Sequence, residues 1–469
     1  MPDRATPTAG RRRSPAQIVR SNLCIGCGSC ATLEPAAVIG WDGDGHLKPV
    51  APGEWLARKE PRFARLCPFS PEAANEDEIA ADLFPEARHR DPMIGRYHTA
   101  YVGHVAEASF RAEGSSGGMV SWVAAELLRR GLVDGVAHVV PQRRDSDGRL
   151  FAYRISRNET ELREGAKSRY YPVELSTVLR EIEAVPGRYA VVGIPCFIKA
   201  INLLRKENPI IAERVAFTIG LFCGHMKSAH MVDSFAWQLG AEPEAVAAID
   251  YRLKNPDRPA NWYTAQLTLT DGSTRQQDWW HLVDGDWGSG FFMNPACNFC
   301  DDVVAETADI ALGDAWLEPY SSDGRGTNVV VVRSPVLEWI VGAGIREGKL
   351  ALTPVDEDFV RRTQAAGLRQ RREGLAYRLA RTRSGVRPRK RVAPSRAIAG
   401  RRKLLYRMRQ AISVWSHRLF RVARALRRPA IYIAWGRMTV TAYHGIAYSR
   451  GRLGTLIDRV IDPSGKARD

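Results

Sequence analysis

Long apolar runs are missing from this chain of 469 residues. No stretch of about 18 uncharged apolar residues occurs, so we expect no helix that spans a membrane. No apolar segment follows Arg11-Arg12-Arg13, so we expect no signal peptide and a cytoplasmic location. The hydrophobic content of 45% is nevertheless enough for two or three domains with buried cores.

Cysteine is scarce as well, with eight residues in the whole chain. Such a low density does not build a disulfide scaffold, and in a reducing compartment sparse cysteines more often bind metal or do chemistry. They fall into two sets of four with none left over, which predicts two four-thiolate sites. The first set is Cys24, Cys27, Cys30 and Cys67, and the second set is Cys196, Cys223, Cys297 and Cys300.

The first set has the spacing of an iron–sulfur ligand run. Two residues separate each of its first three cysteines, and Cys67-Pro68 matches the end of a bacterial ferredoxin-type run. The glycines between the first three cysteines let the backbone wrap so that amide N–H groups can point at sulfide. A zinc knuckle is the alternative, because CxxC pairs also bind zinc. The spacing suits a corner of a cubane better, so we predict a [4Fe–4S] cluster.

The second set is spread along the chain. Cys196 and Cys223 follow the apolar runs Tyr189–Val192 and Val215–Phe222, which read as strands, and Cys297-x2-Cys300 is a metal-type spacing. Taken singly, each of these cysteines would be a small buried apolar residue. Sites in α/β sheets form at the carboxyl ends of strands, so we expect these thiols to meet there.

Short β-rich runs alternate with helical patterns between residues 97 and 346, which predicts an α/β (α+β) core with a mixed sheet. Two predicted helices are Met119–Arg130 and Met226–Leu239. The predicted divisions are a disordered segment 1–19, a ferredoxin-like module 20–95, a cofactor-binding core 96–355 and a basic helical extension 356–469.

Acidic residues are nearly absent from the last part of the chain. Residues 361–469 contain 29 Lys and Arg against four Asp and Glu, whereas residues 1–360 have a net charge of −9. The segment Val360–Arg381 has helical spacing, and Arg401–Arg427 predicts a basic amphipathic helix. Its apolar positions are Leu404, Met408, Ile412, Trp415, Leu419, Val422 and Leu426. This helix packs on the body, or it binds an anionic surface at the inner face of the membrane. Nucleic acid is disfavoured, because no known nucleic-acid module accompanies the charge.

Two polar loops are candidates for holding a cofactor. The run Gly114-Ser115-Ser116-Gly117-Gly118 precedes a helix and predicts an anion cradle, with a plain tight turn as the alternative. The run Lys167-Ser168-Arg169-Tyr170 combines cations with an aromatic ring, which favours contact with the phosphates or ring of a flavin. An exposed basic turn is the alternative for this second loop.

Four further residues are candidates beside these loops. Gly313 allows close backbone approach, and Asp314 could accept a hydrogen bond from a ligand or simply end its strand. His225 and Lys227 lie just after Cys223, so they either face the same pocket or form a satisfied pair at the surface.

These motifs together resemble the beta subunits of coenzyme F420 hydrogenases and dehydrogenases. They occur in that family's order over residues 97–350, about half of the chain. The marks are Gly114–Gly118, Val133-Asp134-Gly135-Val136, Lys167–Tyr170, Gly193-Ile-Pro-Cys196, Leu221-Phe-Cys223-Gly224, Cys297-Asn-Phe-Cys300 and Ala308-Asp309-Ile310 with Gly313-Asp314. The N-terminal cysteine run is similar to the ferredoxin module of many relatives. The extension resembles that of relatives associated with surface-polysaccharide gene sets.

The resemblance implies FAD beside a [4Fe–4S] cluster whose ligands are the second set of cysteines, so we expect two clusters in all. FAD would lie against the Gly114–Gly118 and Lys167–Tyr170 loops. The family usually has glycine where Lys167 stands and lysine where Arg169 stands, and arginine is not an equivalent donor.

The implied function is a flavin-dependent oxidoreductase. It would pass electrons between coenzyme F420 or an organic substrate and ferredoxin or a partner subunit, with a link to surface-polysaccharide biosynthesis. The alternatives are an electron-transfer subunit without a substrate of its own and a membrane-associated binding protein with structural clusters.

Overall fold

In a computed structural model, residues 12–142, 147–382 and 385–449 are described. They form fifteen strands and seventeen α-helices. The strands are β1 Val38–Trp41, β2 Leu47–Val50, β3 His89–Asp91, β4 Gly95–Tyr97, β5 Thr99–Val105, β6 Gly135–Pro141, β7 Phe151–Ser156, β8 Tyr189–Gly193, β9 Val215–Leu221, β10 Val246–Asp250, β11 Thr264–Leu269, β12 Thr274–Asp278, β13 Ile310–Asp314, β14 Asn328–Val332 and β15 Leu350–Pro354.

The helices connect these strands and form most of the C-terminal part. They are α1 Pro15–Arg20, α2 Gly53–Ala57, α3 Pro61–Leu66, α4 Glu76–Leu83, α5 Phe110–Glu113, α6 Met119–Arg129, α7 Glu159–Glu164, α8 Ser176–Ala184, α9 Pro195–Glu207, α10 Pro209–Arg214, α11 His230–Gln238, α12 Pro335–Arg346, α13 Glu357–Thr363, α14 Ala365–Arg371, α15 Glu373–Arg381, α16 Gly400–Ala425 and α17 Pro429–Tyr448.

The main sheet has eight strands in the order β15-β5-β14-β13-β9-β8-β6-β7. Its four central strands, β13, β9, β8 and β6, are parallel, and the strands on both sides of them pair antiparallel. The predicted mixed sheet is therefore confirmed. Parallel central strands are covered on both faces, which explains why β8 is buried along its whole length. The antiparallel strand β14 is also fully buried, and it lies inside the sheet between β5 and β13.

Each face of the sheet has its own apolar core. Helices α6 and α12 cover one face around Trp122 and Ile340. Helices α8 and α9 cover the other face together with the N-terminal segment, whose Phe63 and Leu66 join the core of Phe197. A smaller sheet, β10-β11-β12, packs with α11, α16 and α17 in a separate aromatic core.

The segment 1–19 was predicted to be disordered, and the structure corrects the part of it that is described. Helix α1 begins at Pro15, where Ser14 and Gln17 form a reciprocal capping box, and Ile18 is buried. Residues 1–11 lie outside the described residues. The predicted helix Met226–Leu239 begins only at His230. Its first turn is replaced by a β-bridge between Lys227 and Met293.

The basic extension is helical, as predicted, but its geometry differs from the prediction. Val360–Arg381 is divided into α13, α14 and α15. Helix α16 packs on the body through Ile412, Phe420 and Ala423, whereas Trp415 is 48% exposed. The buried stripe is rotated from the predicted one because α16 packs against both the body and α17, a helix that was not predicted. None of the helices in the described residues is both long and apolar enough to cross a membrane.

Three buried histidines join the extension to the body. The His417 ring of α16 lies 4.9 Å from the His46 ring after the β1–β2 turn and 6.5 Å from the His230 ring of α11. Both ring nitrogens of His46 and Nε2 of His417 are buried and lack a hydrogen-bond partner among the described residues. Protonation of His417 would therefore place a charge in a buried position, where the cost of desolvation is high.

We expect His417 to make the stability of the protein depend on pH. Burial lowers the pKa of His417 from 6.5 to about 4, while the Ser413 carbonyl and Asp44 oppose the shift. Because this pKa is lower in the folded than in the unfolded protein, the unfolded protein binds the proton first as the pH falls. The free energy of unfolding should therefore decrease by about 3 kcal/mol between about pH 6.5 and pH 4.

Unfolding by urea at several pH values tests this expectation. The free energy of unfolding of His417→Gln should fall less steeply below pH 6.5 than that of the wild type. The exposed residue His281 supplies the control, since His281→Gln should keep the wild-type slope. Equal slopes for all three proteins would contradict the role of His417.

Candidate functional site: two groups of four thiols beside an aromatic cluster

The first set of cysteines lines one cavity. Cys24, Cys27, Cys30 and Cys67 share its wall with apolar side chains such as Phe63 and Leu66. Burial raises the pKa of Cys30 well above the ordinary value, and the other three thiols add to the shift because they lie near enough to repel its charge. The four thiols therefore face one another in an apolar enclosure.

Backbone N–H groups near these sulfurs favour the thiolate form. Burial raises the pKa of Cys27 to about 11 and also raises that of Cys67, while the backbone N–H of Ser29 opposes the shift at Cys27 and those of Phe69 and Ser70 oppose it at Cys67. Gly26 supports this wrapping with a φ of +80°, and a Cβ there would lie 2.4 Å from the Leu47 carbonyl oxygen. Such donors stabilise thiolate charge, which is what a cluster site requires.

The second set meets at the carboxyl edge of the sheet, as expected. Parallel β8 and β9 end side by side, so Cys196 at the start of α9 and Cys223 just after β9 approach each other. Cys297 and Cys300 come from the 3-10 turn 295–299 and the residue after it. Burial is the largest cause that raises the pKa of Cys196 well above the ordinary value. The nearby thiols of Cys300, Cys223 and Cys297 raise this pKa further.

The two groups of thiols are neighbours. Cys27 of the first group also contributes to the raised pKa of Cys196, and both sulfurs raise the pKa of the buried Tyr153. Tyr153 donates from its hydroxyl to the Val192 carbonyl at 2.9 Å. Side chains of both groups belong to one apolar core. This proximity is what electron transfer between two centres would need.

The structure does not decide between the two metal interpretations of the thiols. Within the described part of the chain, no three His, Cys, Asp or Glu side chains are arranged to hold a single metal ion. All eight thiols are free of disulfide bonds. A zinc site and a [4Fe–4S] cluster both take four cysteine ligands, so the choice of a cluster stays a prediction from the spacing of the cysteines.

The Gly114–Gly118 loop lies at the same edge of the sheet. Gly118 has a φ of +86°, and a Cβ on Gly117 would lie 2.7 Å from Oδ1 of Asn328. The same Asn328 oxygen accepts from the first N–H of α6, that of Met119, at 3.1 Å. Lys254 donates to the Ser116 carbonyl at 2.9 Å. The loop is thus tightly held, with a cation behind it.

The Lys167–Tyr170 loop contacts the first loop directly, because the N–H of Ser168 donates to Oγ of Ser115 at 2.8 Å. Lys167 has a φ of +86°, the left-handed region that favours glycine. Its ammonium pairs with Asp250. Arg169 lies over the Phe151 ring at 5.1 Å, so the loop is not the exposed basic turn of the alternative interpretation.

The structure also places the candidates Asp314, His225 and Lys227. Asp314 is occupied by Arg252, which donates to its two oxygens at 2.9 and 3.2 Å. His225 and Lys227 are buried, so they are not a surface pair. Lys227 donates to the Phe291 carbonyl at 2.6 Å, and burial lowers its pKa to about 7.

An aromatic cluster connects the loops to the second thiol group. The Trp287 ring lies 4.8 Å from Tyr170 and 4.4 Å from His225, which follows Cys223 by two residues. Tyr251 and Arg169 border this cluster with a hydroxyl and an Nε that are buried and lack a partner among the described residues. Orphaned donors of this kind fit a polar ligand such as a flavin.

Sequence reasoning missed four residues of this site. Arg252 and Lys254 follow β10, Trp287 lies in a 3-10 turn, and Arg371 ends α14. The signals for Arg252, Lys254 and Arg371 were a pair of cations near the end of one predicted strand and an arginine-rich segment with helical spacing, and neither signal indicates which site a cation reaches. The cause is that each reaches the site from a distant part of the chain.

The fold and site thus define an α/β protein with two adjoining thiol groups at the carboxyl edge of a mixed sheet. Two family models match most of this unit. The N-terminal part of the coenzyme F420 hydrogenase/dehydrogenase beta chain matches residues 100–180, and the C-terminal part of the same beta chain matches residues 187–358. They cover more than half of the chain. The protein belongs to this family of oxidoreductase subunits.

Individual relatives are distant. The chain is 24% identical over 347 residues to a coenzyme F420-dependent sulfite reductase of Methanocaldococcus jannaschii, covering 71% of this chain and 48% of the reductase. It therefore spans about half the length of that relative. It is 24% identical over 324 residues to one subunit of the F(420)H(2) dehydrogenase of Methanosarcina mazei, covering 64% of this chain and 79% of the dehydrogenase subunit.

Among solved structures, the F420-reducing [NiFe] hydrogenase complex from Methanosarcina barkeri contains a similar chain. The similarity has a TM-score of 0.48 at 17% identity and covers 64% of this chain and 99% of that one.

Gly118→Ala should destabilise the protein by about 1–3 kcal/mol, measured as the free energy of unfolding. The added Cβ meets the Phe110 carbonyl oxygen at 2.6 Å in addition to the backbone strain at positive φ. Gly131 is the matched control, since it also has positive φ but no atom within 4 Å of its Cβ. Gly131→Ala should cost only about 1 kcal/mol. Equal losses would mean that close packing of the Gly114–Gly118 loop is unimportant.

Proposed function

We propose that this protein is an iron–sulfur flavoprotein oxidoreductase that passes electrons between coenzyme F420 and a one-electron partner. The observation that carries the proposal is the aromatic contact of Trp287 with both Tyr170 and His225, since it joins the loop region to the second thiol group. The second thiol group adjoins the first, which belongs to the N-terminal segment. Family membership supports the redox character of this path.

Different residues of the chain would bind the two clusters and the flavin. Cys24, Cys27, Cys30 and Cys67 would hold one [4Fe–4S] cluster, and Cys196, Cys223, Cys297 and Cys300 would hold the other. Arg169 and the Gly114–Gly118 loop would bind the phosphates of FAD, and Tyr170 would orient its ring. The chemistry supplied by bound FAD is the exchange of a hydride with coenzyme F420 and of single electrons with the clusters.

The choice of coenzyme F420 is supported by the names of the distant relatives. Sulfite chemistry is not carried over, because the chain spans about half of the reductase that it resembles. Ferredoxin or another redox subunit would be the one-electron partner. The link to surface-polysaccharide biosynthesis stays a prediction from the extension alone.

Anaerobic purification followed by iron, sulfide and flavin assays tests the proposal. We expect about eight irons per chain, which is four for each [4Fe–4S] cluster. Cys196→Ala should lose about half of the iron and also weaken flavin binding, because its thiol group adjoins the aromatic cluster. Cys27→Ala is the matched variant of the first group, and it should lose similar iron but keep the flavin.

The reverse pattern for the two variants would contradict the assignment of the flavin to the second group, and iron near zero in the wild type would refute the proposal. With reduced coenzyme F420 and an artificial acceptor, turnover by the isolated chain supports an enzyme. Bleaching that requires an added partner protein supports the alternative, an electron-transfer subunit.

A second proposal concerns the extension, which would dock on an anionic membrane surface. Residues 374–449 contain neither Asp nor Glu. In the helical pair α16 and α17, Trp415, Leu426 and Met438 are 48%, 58% and 68% exposed. The exposed cations Arg418 and Arg428 lie among them. Apolar side chains interleaved with arginine favour the interfacial region of anionic lipid over a purely polar partner.

Vesicle sedimentation tests this docking. The wild type should bind vesicles rich in phosphatidylserine and not vesicles of phosphatidylcholine, and the double variant Trp415→Ser, Leu426→Ser should bind at least tenfold more weakly. Trp280 is also 54% exposed but lies outside the extension, so Trp280→Ser is the control and should bind normally. Equal binding to both lipids, or wild-type binding by the double variant, would contradict the proposal.

A further inference from the structure

A buried arginine of the extension faces the second thiol group. Arg371 ends α14, beyond residue 358 where the family models stop matching, and it is 2% exposed. Its Nη1 donates to the Cys297 carbonyl at 2.6 Å, and its Nη2 donates to the Gly224 carbonyl. The guanidinium therefore bridges the 3-10 turn of two cysteines and the segment after Cys223.

Neighbouring cations of the extension are neutralised in a different way. Lys390 donates to Asp301 at 3.0 Å, and Arg391 donates to Glu306 at 2.8 Å. Burial alone would raise the pKa of Asp301, yet these two cations outweigh it and hold the pKa below the ordinary value. Among the described residues, no carboxylate forms an ion pair with Arg371, and its Nε has no hydrogen-bond partner.

A buried charge without a counterion is costly. The anion that would balance Arg371 is the group held by the second set of cysteines, because the guanidinium donates to the Cys297 carbonyl and to the carbonyl of Gly224, the residue after Cys223. Reduction of a [4Fe–4S] cluster adds one electron, and so one negative charge, while no bond is formed or broken. A fixed cation beside the cluster stabilises the reduced form more than the oxidised form.

We propose that Arg371 is a positioning residue that raises the reduction potential of the cluster held by Cys196, Cys223, Cys297 and Cys300. This inference rests on the proposed function, since the electron is supplied by the reduced flavin in that scheme. The extension thereby supplies positive charge to the redox site, in addition to its proposed role at a membrane surface.

An anaerobic redox titration followed by electron paramagnetic resonance tests the inference. In Arg371→Gln the second cluster should be at least tenfold harder to reduce, which corresponds to a potential lower by about 59 mV for one electron. The first cluster should not shift and serves as an internal reference. Arg369 lies on the same helix and is exposed, so Arg369→Gln controls for net charge and should leave both potentials unchanged.

Arg371→Met supplies a second neutral side chain in case the glutamine variant does not fold, and it should show the same lowered potential. Iron content and circular dichroism confirm that each variant compared is folded and loaded. An unchanged potential of the second cluster in a loaded neutral variant would overturn the role of Arg371 while leaving the proposed function intact. A wild type without iron would instead overturn the proposed function, and this inference with it.

Discussion

Parallel pairing of three central strands is the constraint on which the rest of this structure depends. Because β8, β9 and β13 run in the same direction, their carboxyl ends meet at one edge. That edge receives Cys196 and Cys223 directly, and Asp314 ends β13 beside them. A change in the direction of any one of these strands would separate groups that now lie within one site.

Burial of charge governs the second level of organisation. The thiols lie in apolar surroundings that disfavour thiolates, so the site needs nearby positive charge or a bound metal group. The basic extension supplies positive charge, although most of it lies outside the part of the chain that matches the family. Its arginines reach inward through α14 and the segment 385–391, while α16 and α17 cover the smaller sheet. One segment therefore combines buried arginines with an outer basic surface.

Local patterns predicted much of this arrangement. The apolar runs of β8 and β9, the alternation of strands and helices, and the helix α6 after Gly118 were all readable from periodicity. The edge strand β15 was not, since its residues are mostly exposed and lack an apolar run. Helix α11 begins late because the residues before it bond across the chain to Met293, and no local propensity records such a contact.

The sequence by itself determined the grouping of eight cysteines into two sets, the class of the fold and the charge contrast between body and extension. Each of these follows from spacing, periodicity or composition, which are properties of neighbours along the chain. Only the tertiary structure decided that Arg252 binds Asp314, that the Trp287 ring contacts both Tyr170 and His225, and that Arg371 donates to the Cys297 carbonyl. These contacts join segments tens to hundreds of residues apart, and their partners are selected by packing and desolvation in the folded state.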